Sequence, residues 1–354
     1  MKKNFLISTG GSGGHVIPAT ILHEHLIKDA NITILTDKRG LRYLDERIYR
    51  LKVIDTPKLN NFFLLPFNFF KILIQIFKSI KILKIEKIEK IISTGGYMSL
   101  PIILACKLLD KKIYLFEPNL VLGRVNKLFL SNCEKIFCYT EKIKKFPDNL
   151  KEKMVIINPL VRKEFYEKKE KKEDQNKLCL LIIGGSQGAK IFDNDLKNKI
   201  VNISKRIKIK IFHQTNKENI SHLKNFYTKN KIENDTFSFD NDFAQKIQET
   251  DLCITRAGAS TLAELSVLNV PFIAVPLSTS KDNHQFENAK FYEQKDCCWV
   301  LEQYLFDEKI ETFLEYILAN KSDYNKKKEN LKKLNYQNSW INVNQKILST
   351  INEN

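Results

Sequence analysis

The sequence predicts an α/β protein built from two nucleotide-binding-type domains facing one cleft. Three observations carry this. A short apolar run, a glycine-rich turn and a helical pattern occur in succession at residues 4–18 and again at 178–193. Apolar, strand-like runs alternate with helical stretches along most of the chain, as a parallel sheet covered by helices requires. The 354 residues exceed one ordinary domain and suit two of ~150–200 residues. A hydrophobic share of 43% is enough to fill real cores.

The first domain is expected over residues 1–162. Its first strand ends at Ser8 and enters the glycine turn 10–14, with His15 at the start of the following helix. Further strand-like runs lie at 32–36, 90–94, 112–116 and 136–139. Residues 62–83 break the rhythm, being unusually apolar and rich in phenylalanine. On a helix Phe69, Leu73, Ile76, Phe77, Ile80 and Leu83 share one face, and Lys71, Gln75 and Lys78 the opposite one. Two readings fit: a crossover helix packed on the sheet, or a membrane-surface helix with lysines toward anionic headgroups. The charged stretch 164–177 is the linker candidate. The second domain, 163–339, carries strand-like runs at 178–183, 208–213, 236–239, 252–255 and 271–276. A polar helical tail follows from about Asp307, and residues 340–354 are a candidate to pack back on the first domain.

The formal net charge of +17 asks for an anionic partner, whether nucleic acid, membrane or phosphorylated substrate. The lysines are spread along the chain, so compositional bias explains most of the excess. Nucleic acid is disfavoured because no basic stripe is interleaved with aromatics. Seven cysteines, without CxxC spacing and several in apolar runs, read as buried thiols in a reducing compartment rather than a zinc site. The apolar start stops at Ser8, so it reads as a strand and not an export signal. No stretch of ~18 uninterrupted apolar residues predicts a membrane span.

Three motifs could carry chemistry. Glycine lets backbone N–H groups approach a phosphate, and a helix start is partially positive, so each glycine turn is an anion cradle. The first is not the dinucleotide fingerprint, because Val16 stands where the third glycine belongs. Asp37, after the second strand, then reads as a solvated strand-end carboxylate. His15 is either a general base or a polar group satisfied at the helix end. The second turn, 184–188, matches G-x-S-x-G. That makes a serine hydrolase a rival, with Ser186 as nucleophile, Asp251 or Asp282 as acid and His284 as base. The third motif is 251–264. Thr261 and Glu264 have capping-box spacing, and a carboxylate one turn into a helix can also accept both hydroxyls of a ribose. The polar loop 276–289, entering another helix, offers amide and imidazole groups suited to sugar hydroxyls.

In this order the segments 10–15, 95–97, 117–119, 158–162, 184–189, 256–264 and 282–285 resemble the MurG family, over residues 5 to about 303. The resemblance implies a GT-B glycosyltransferase of two Rossmann-like domains. It implies inverting transfer of N-acetylglucosamine from UDP-N-acetylglucosamine to the undecaprenyl-pyrophosphoryl-N-acetylmuramoyl-pentapeptide, lipid I, forming lipid II for peptidoglycan. No cofactor and no obligatory metal are implied. Carried over by position, Ser12, Gly13 and Gly14 form the acceptor-side loop and Asn119 contacts the sugar. Arg162 and Ser186 contact the nucleotide and its phosphates. Ala259, Ser260, Thr261, Leu262, Ala263 and Glu264 hold diphosphate, sugar and ribose, and Gln285 the sugar hydroxyls. His15 is the candidate base. Phe63, Phe67 and Phe70, with Lys71 and Lys78, would rest on the cytoplasmic leaflet of the inner membrane, and other cell-wall synthesis proteins are implied partners. The chain departs from the family at Ser12 (usually threonine), Pro118 (glutamine), Asp240 (apolar) and Ser280 (histidine). A related GT-B transferase with another acceptor would share the nucleotide-side motifs and differ at 10–15 and 95–124.

Overall fold

A computed structural model describes residues 2–57, 65–167, 177–185, 188–238, 240 and 242–353. The chain forms two compact units, one of Met1–Leu160 with Ser339–Asn354, the other Val161–Asn338. Most of the linker candidate, residues 168–176, lies outside the described residues.

The first unit runs β1 (Lys3–Ser8), α1 (Gly13–Leu26), β2 (Ala30–Thr36), β3 (Leu51–Val53), α2 (Leu65–Ile85), β4 (Lys90–Ser93), α3 (Leu100–Leu108), β5 (Lys112–Glu117), α4 (Arg124–Phe129), β6 (Lys135–Cys138) and β7 (Met154–Ile156). All pairs are parallel, in the order β3-β2-β1-β4-β5-β6-β7. Both faces are covered, which is why these strands read as continuous apolar runs rather than alternating ones. Leu6, Ile91, Leu115 and Ile136 fill the core on one side, and Phe5, Ile7, Ile92, Tyr114, Phe116 and Phe137 the other.

The second unit runs β8 (Lys177–Ile183), α5 (Lys197–Ser204), β9 (Lys208–Gln214), α6 (Ile220–Lys229), β10 (Glu233–Phe237), α7 (Phe243–Glu249), β11 (Leu252–Thr255), α8 (Ala259–Val267), β12 (Phe272–Ala274), α9 (His284–Gln294), β13 (Trp299–Val300), α10 (Phe306–Ala319) and α11 (Lys321–Leu334). Its sheet is again parallel, in the order β10-β9-β8-β11-β12-β13. In both sheets the order reverses beside the first strand, between β1 and β4 and between β8 and β11. Ligands bind outside the carboxyl ends of the strands at such a point.

A last helix, α12 (Trp340–Asn352), belongs to the first unit. Val343, Ile347 and Ile351 enter its core. Trp340 stacks on His25 at 3.6 Å, and His25 Nδ1 lies 3.0 Å from Asn344 Oδ1. Buried Lys90 donates to the Ile351 carbonyl, as does Tyr114 at 3.4 Å, so two side chains cap the end of the helix.

Helix α2 corrects one expectation. Ile72, Ser79 and Leu83 are buried, with Ile76 and Ile80 packed alongside, but Phe69 and Phe77 are 58% and 71% exposed. Phe77 lies six residues, about 120° around the helix, from Leu83, so the face assumed from periodicity was too wide. Phe70, Ile74, Phe77, Lys81 and Ile85 share an exposed strip, with Lys71, Lys78 and Lys84 also exposed. Phe63 lies outside the described residues, as does the side chain of Phe67. No described helix is long and apolar enough to cross a membrane. All seven cysteines are buried.

Candidate active site

In the first unit three segments meet at the carboxyl ends of β1, β2 and β4. Gly11 and Gly96 have φ of +83° and Gly95 of +89°, backbone that side-chain-bearing residues rarely adopt. A Cβ on Gly10 would lie 2.8 Å from Asp37 Oδ1 and 2.9 Å from Met98 Cγ. Ser12 is the N-cap of α1 in extended conformation, and its side chain makes no capping bond. No acidic residue lies in the first turn, so the start of the helix keeps its positive end uncompensated.

His15 has a defined tautomer. Its Nδ1 lies 2.8 Å from the Thr94 carbonyl oxygen, which can only accept, so Nδ1 carries the proton. When the ring is neutral its lone pair is therefore on Nε2. Gly95 and Gly96 flank the ring: Cβ atoms there would stand in ordinary contact with it, at 3.4 and 3.5 Å, so it is the positive φ that asks for glycine. Glu117, buried at the end of β5, takes Gly123 N–H at 2.7 Å, Asn126 Nδ2 at 3.0 Å, and Asn119 through N–H at 3.2 Å and Nδ2 at 3.1 Å. Asn119 is thus seated by a carboxylate two residues before it.

Asp37 corrects another expectation. It is buried, not solvated. Burial alone would raise its carboxyl, but the Gly11 N–H, the Arg39 guanidinium and the Gly40 N–H outweigh it and hold it below the usual range. Nothing in the local sequence signals these three partners.

In the second unit β8 runs into Gly184, where a Cβ would collide with the backbone of Gly188 and Ala189. Gly185 and Gly188 have φ of +78° and +68°. Ser186 lies outside the described residues. Beyond the turn Asp193 is buried. Its Oδ2 accepts from Thr215 Oγ1 at 2.7 Å and Asn219 Nδ2 at 2.8 Å, and its Oδ1 lies 3.2 Å from His213 Nε2. His213 Nδ1 sits 2.9 Å from the Tyr227 hydroxyl.

Beside this turn, α8 starts at Ala259 with Gly258 as its N-cap. The capping-box reading of Thr261 therefore fails: Thr261 lies inside the first turn, three residues past the N-cap. Ala259, Ser260 and Thr261 are half-exposed, whereas Leu262 and Ala263 are wholly buried in the core and offer only backbone. Glu264 is buried 3.7 Å from Arg162 Nε. Arg162 also pairs with Glu164 at 3.0 Å and lies over the rings of Phe165 and Phe243. Burial pushes the Glu264 carboxyl up to about 7, with Arg162 opposing and Glu164 adding to it. Asn288 donates to the Ala257 carbonyl at 3.1 Å and steadies the turn into α8. Gln285 accepts from Leu277 N–H at 2.9 Å, which fixes the amide and leaves its NH2 as a donor. Asp240 is occupied by Lys246 at 3.0 Å. Among the described residues no three His, Cys, Asp or Glu side chains gather as a metal would require.

The hydrolase arrangement loses one member. Asp251 precedes β11 and accepts from Cys179 N–H at 2.8 Å. It therefore lies at the amino edge of a parallel sheet whose carboxyl edge carries residues 184–188. His284 Nδ1 is engaged by the Lys281 carbonyl at 2.7 Å.

Two doubly wound parallel sheets, each with a glycine turn at its reversal point, place the chain in the class of two-domain nucleotide-binding α/β proteins. Residues 5–138 match the glycosyltransferase family 28 N-terminal domain and residues 179–339 the glycosyltransferase family 28 C-terminal domain. The UDP-N-acetylglucosamine–N-acetylmuramyl-(pentapeptide) pyrophosphoryl-undecaprenol N-acetylglucosamine transferase of Pelagibacter ubique is 50% identical over the full length of both chains. Its counterpart from Rickettsia felis is 34% identical over 86% of this chain and 87% of that one. The crystal structure of Acinetobacter baumannii MurG has the same fold (TM-score 0.77, 24% identity, full coverage of both chains). So has a Neisseria meningitidis UDP-GlcNAc 2-epimerase bound to UDP-GlcNAc (TM-score 0.65, 13% identity, 99% of this chain and 100% of that one). The chain belongs to the MurG family of glycosyltransferases.

The Glu264 environment has a measurable consequence. A carboxyl near 4.5 when unfolded and about 7 when folded makes stability fall as pH climbs through that window, because the folded state holds the extra proton there. Glu264→Gln removes this slope. The stability of the variant relative to the parent should rise by about 2–3 kcal/mol between pH 5 and pH 8 in denaturant titrations. Parallel stability curves for the two proteins would contradict the assignment.

Proposed function

We propose that this chain transfers N-acetylglucosamine from UDP-N-acetylglucosamine to the C4 hydroxyl of the N-acetylmuramoyl residue of lipid I, with inversion, giving lipid II. The observation that carries this reading is the 50% identity, end to end, with a transferase of that name. The epimerase of similar fold is a reminder that fold alone would not choose the reaction.

The donor is held by the second unit. Its diphosphate meets the N–H groups at the start of α8 and the hydroxyls of Ser260 and Thr261, with Arg162 as counter-charge. Glu264 takes the ribose hydroxyls, Gln285 the sugar hydroxyls, and Ser186 the nucleotide side. The acceptor is held by Ser12, Gly13, Gly14 and Asn119 in the first unit. The acceptor oxygen forms a bond to the anomeric carbon while the bond to the β-phosphate breaks. Its proton goes to His15 Nε2, the nitrogen with the free lone pair, and the charge gained by UDP is met by the dipoles at the start of α8. An assay with labelled UDP-N-acetylglucosamine and a short-chain lipid I analogue should yield the disaccharide product, and no product from folded, UDP-binding protein overturns the assignment. His15→Ala should lower turnover about 100-fold or more and leave UDP affinity within about twofold. Turnover near normal would remove His15 as the base.

The enzyme works at the cytoplasmic face of the inner membrane, where its lipid acceptor is. The strip on α2 supports this: Phe70, Ile74 and Phe77 are exposed amid Lys71, Lys78, Lys81 and Lys84. Each buried aromatic contributes roughly 1.5–3 kcal/mol, and each lysine near an anionic surface about 1 kcal/mol. Phe63 and Phe67 extend the same apolar run in sequence. Phe70→Ser with Phe77→Ser should weaken binding to phosphatidylglycerol vesicles at least about tenfold and leave UDP affinity unchanged. Undiminished vesicle binding would place the contact elsewhere.

A further inference from the structure

One buried charge near the proposed acceptor loop has no part in the mechanism above. Asp37 Oδ1 accepts the Gly11 N–H at 2.9 Å and the Gly40 N–H at 2.8 Å. Its Oδ2 accepts Arg39 Nη2 at 2.9 Å and Nε at 3.2 Å. The same Arg39 Nη2 donates to the Tyr97 hydroxyl, and the guanidinium lies over the Tyr97 ring at 5.1 Å. A carboxylate with four donors is thereby tied to three segments, 10–11, 39–40 and, through Arg39, Tyr97. Space there is closed. A Cβ on Gly40 would collide with Thr36 Oγ1 and come within 3.2 Å of Gly10 Cα. The Gly10 carbonyl in turn accepts Ser12 N–H at 3.1 Å, one residue before the helix that carries His15.

We propose that Asp37 is a positioning residue for the acceptor half of the reaction. Its carboxylate sets the Gly11 turn, and with it the Ser12–His15 entry into α1, while it clamps Arg39 against Tyr97. The inference rests on the acceptor-side role given above to residues 12–15. The side chain touches no substrate; it acts through the loop. An asparagine is the informative replacement. It keeps size and one oxygen. If that oxygen stays on the two glycine N–H groups, the amide NH2 faces the guanidinium, donor against donor. If the amide turns over, the glycines lose their acceptor.

Asp37→Asn, Arg39→Gln and the parent would be compared by acceptor and donor kinetics, UDP calorimetry, Gly11 amide exchange and the 15N signals of the His15 ring. In Asp37→Asn, kcat/KM for a lipid I analogue should fall at least about tenfold. UDP affinity should stay within twofold, the His15 signals should move and Gly11 exchange should quicken. Arg39→Gln, which leaves the carboxylate on both glycines, should lose less acceptor kcat/KM and keep Gly11 protected. A purely structural role would lower the melting temperature and leave the His15 signals and the acceptor-to-donor ratio unmoved, and that result overturns the proposal. Should Asp37→Asn not fold, Asp37→Glu, which keeps the charge but displaces the acceptor oxygens from the two glycines, takes its place: parental Gly11 exchange, acceptor kinetics and His15 signals in that variant overturn the proposal. A parent that transfers no sugar defeats the functional reading instead, and the His15 signals and Gly11 exchange still decide whether Asp37 sets the loop.

Discussion

At the carboxyl edge of each sheet, beside the reversal of strand order, the chain must leave a fully buried strand and enter a helix within a few residues. At one point in each turn there is no room for a side chain. At Gly184 an added Cβ would run into the backbone of Gly188 and Ala189, and at Gly10 it would run into Asp37 and Met98. Backbone therefore lines part of the junction, and its N–H groups lie beside a helix start. That surface favours anions before any side chain is chosen. The candidate site residues are then anchored near this edge. His15 is held to the end of β4, Arg162 and Glu264 lie together where α8 begins, and Asn288 steadies that entry from α9.

Each unit uses a buried aspartate at the same juncture, but from opposite sides. In the first, Asp37 stands after the second strand and grips the glycine turn. In the second, Asp193 stands after the glycine turn and grips Thr215 and Asn219 beyond the second strand. Asn216, in the gripped segment, lies where a Cβ of Gly188 would come within 2.9 Å of it. Both carboxylates are held below their usual range by their donors despite burial. The charge joins strand end to turn, a task that apolar contacts cannot perform where the backbone polar groups themselves need partners.

The strands were legible because parallel sheets covered on both faces demand long apolar runs. Leu252–Thr255 was read to the residue, and the runs at 90–94 and 112–116 to within one. The short edge strands Leu51–Val53, Met154–Ile156 and Trp299–Val300 were missed, since two or three residues have no periodicity to detect. The glycine turns and the meeting of Glu264 with the start of α8 follow from local sequence order. What local order could not supply was long-range partnership: that Asp37 would collect Gly11, Arg39 and Gly40, or that Asp251 would fall on the amino edge of its sheet. The width of the buried face of α2 failed for a related reason. A helix that packs along one line hides about half its circumference, and sequence alone does not say where that line falls.

The first unit is assembled from both ends of the polypeptide. Its core receives Ile347 and Ile351, and its Lys90 and Tyr114 both donate to the Ile351 carbonyl. During synthesis those partners emerge after the whole of the second unit has been made. The growing chain therefore carries an open apolar seat, beside a buried lysine still waiting for its carbonyl, for nearly two hundred residues of translation. At ~5–20 residues per second that is ten seconds or more. The first unit, begun first, is therefore the last to receive all its partners.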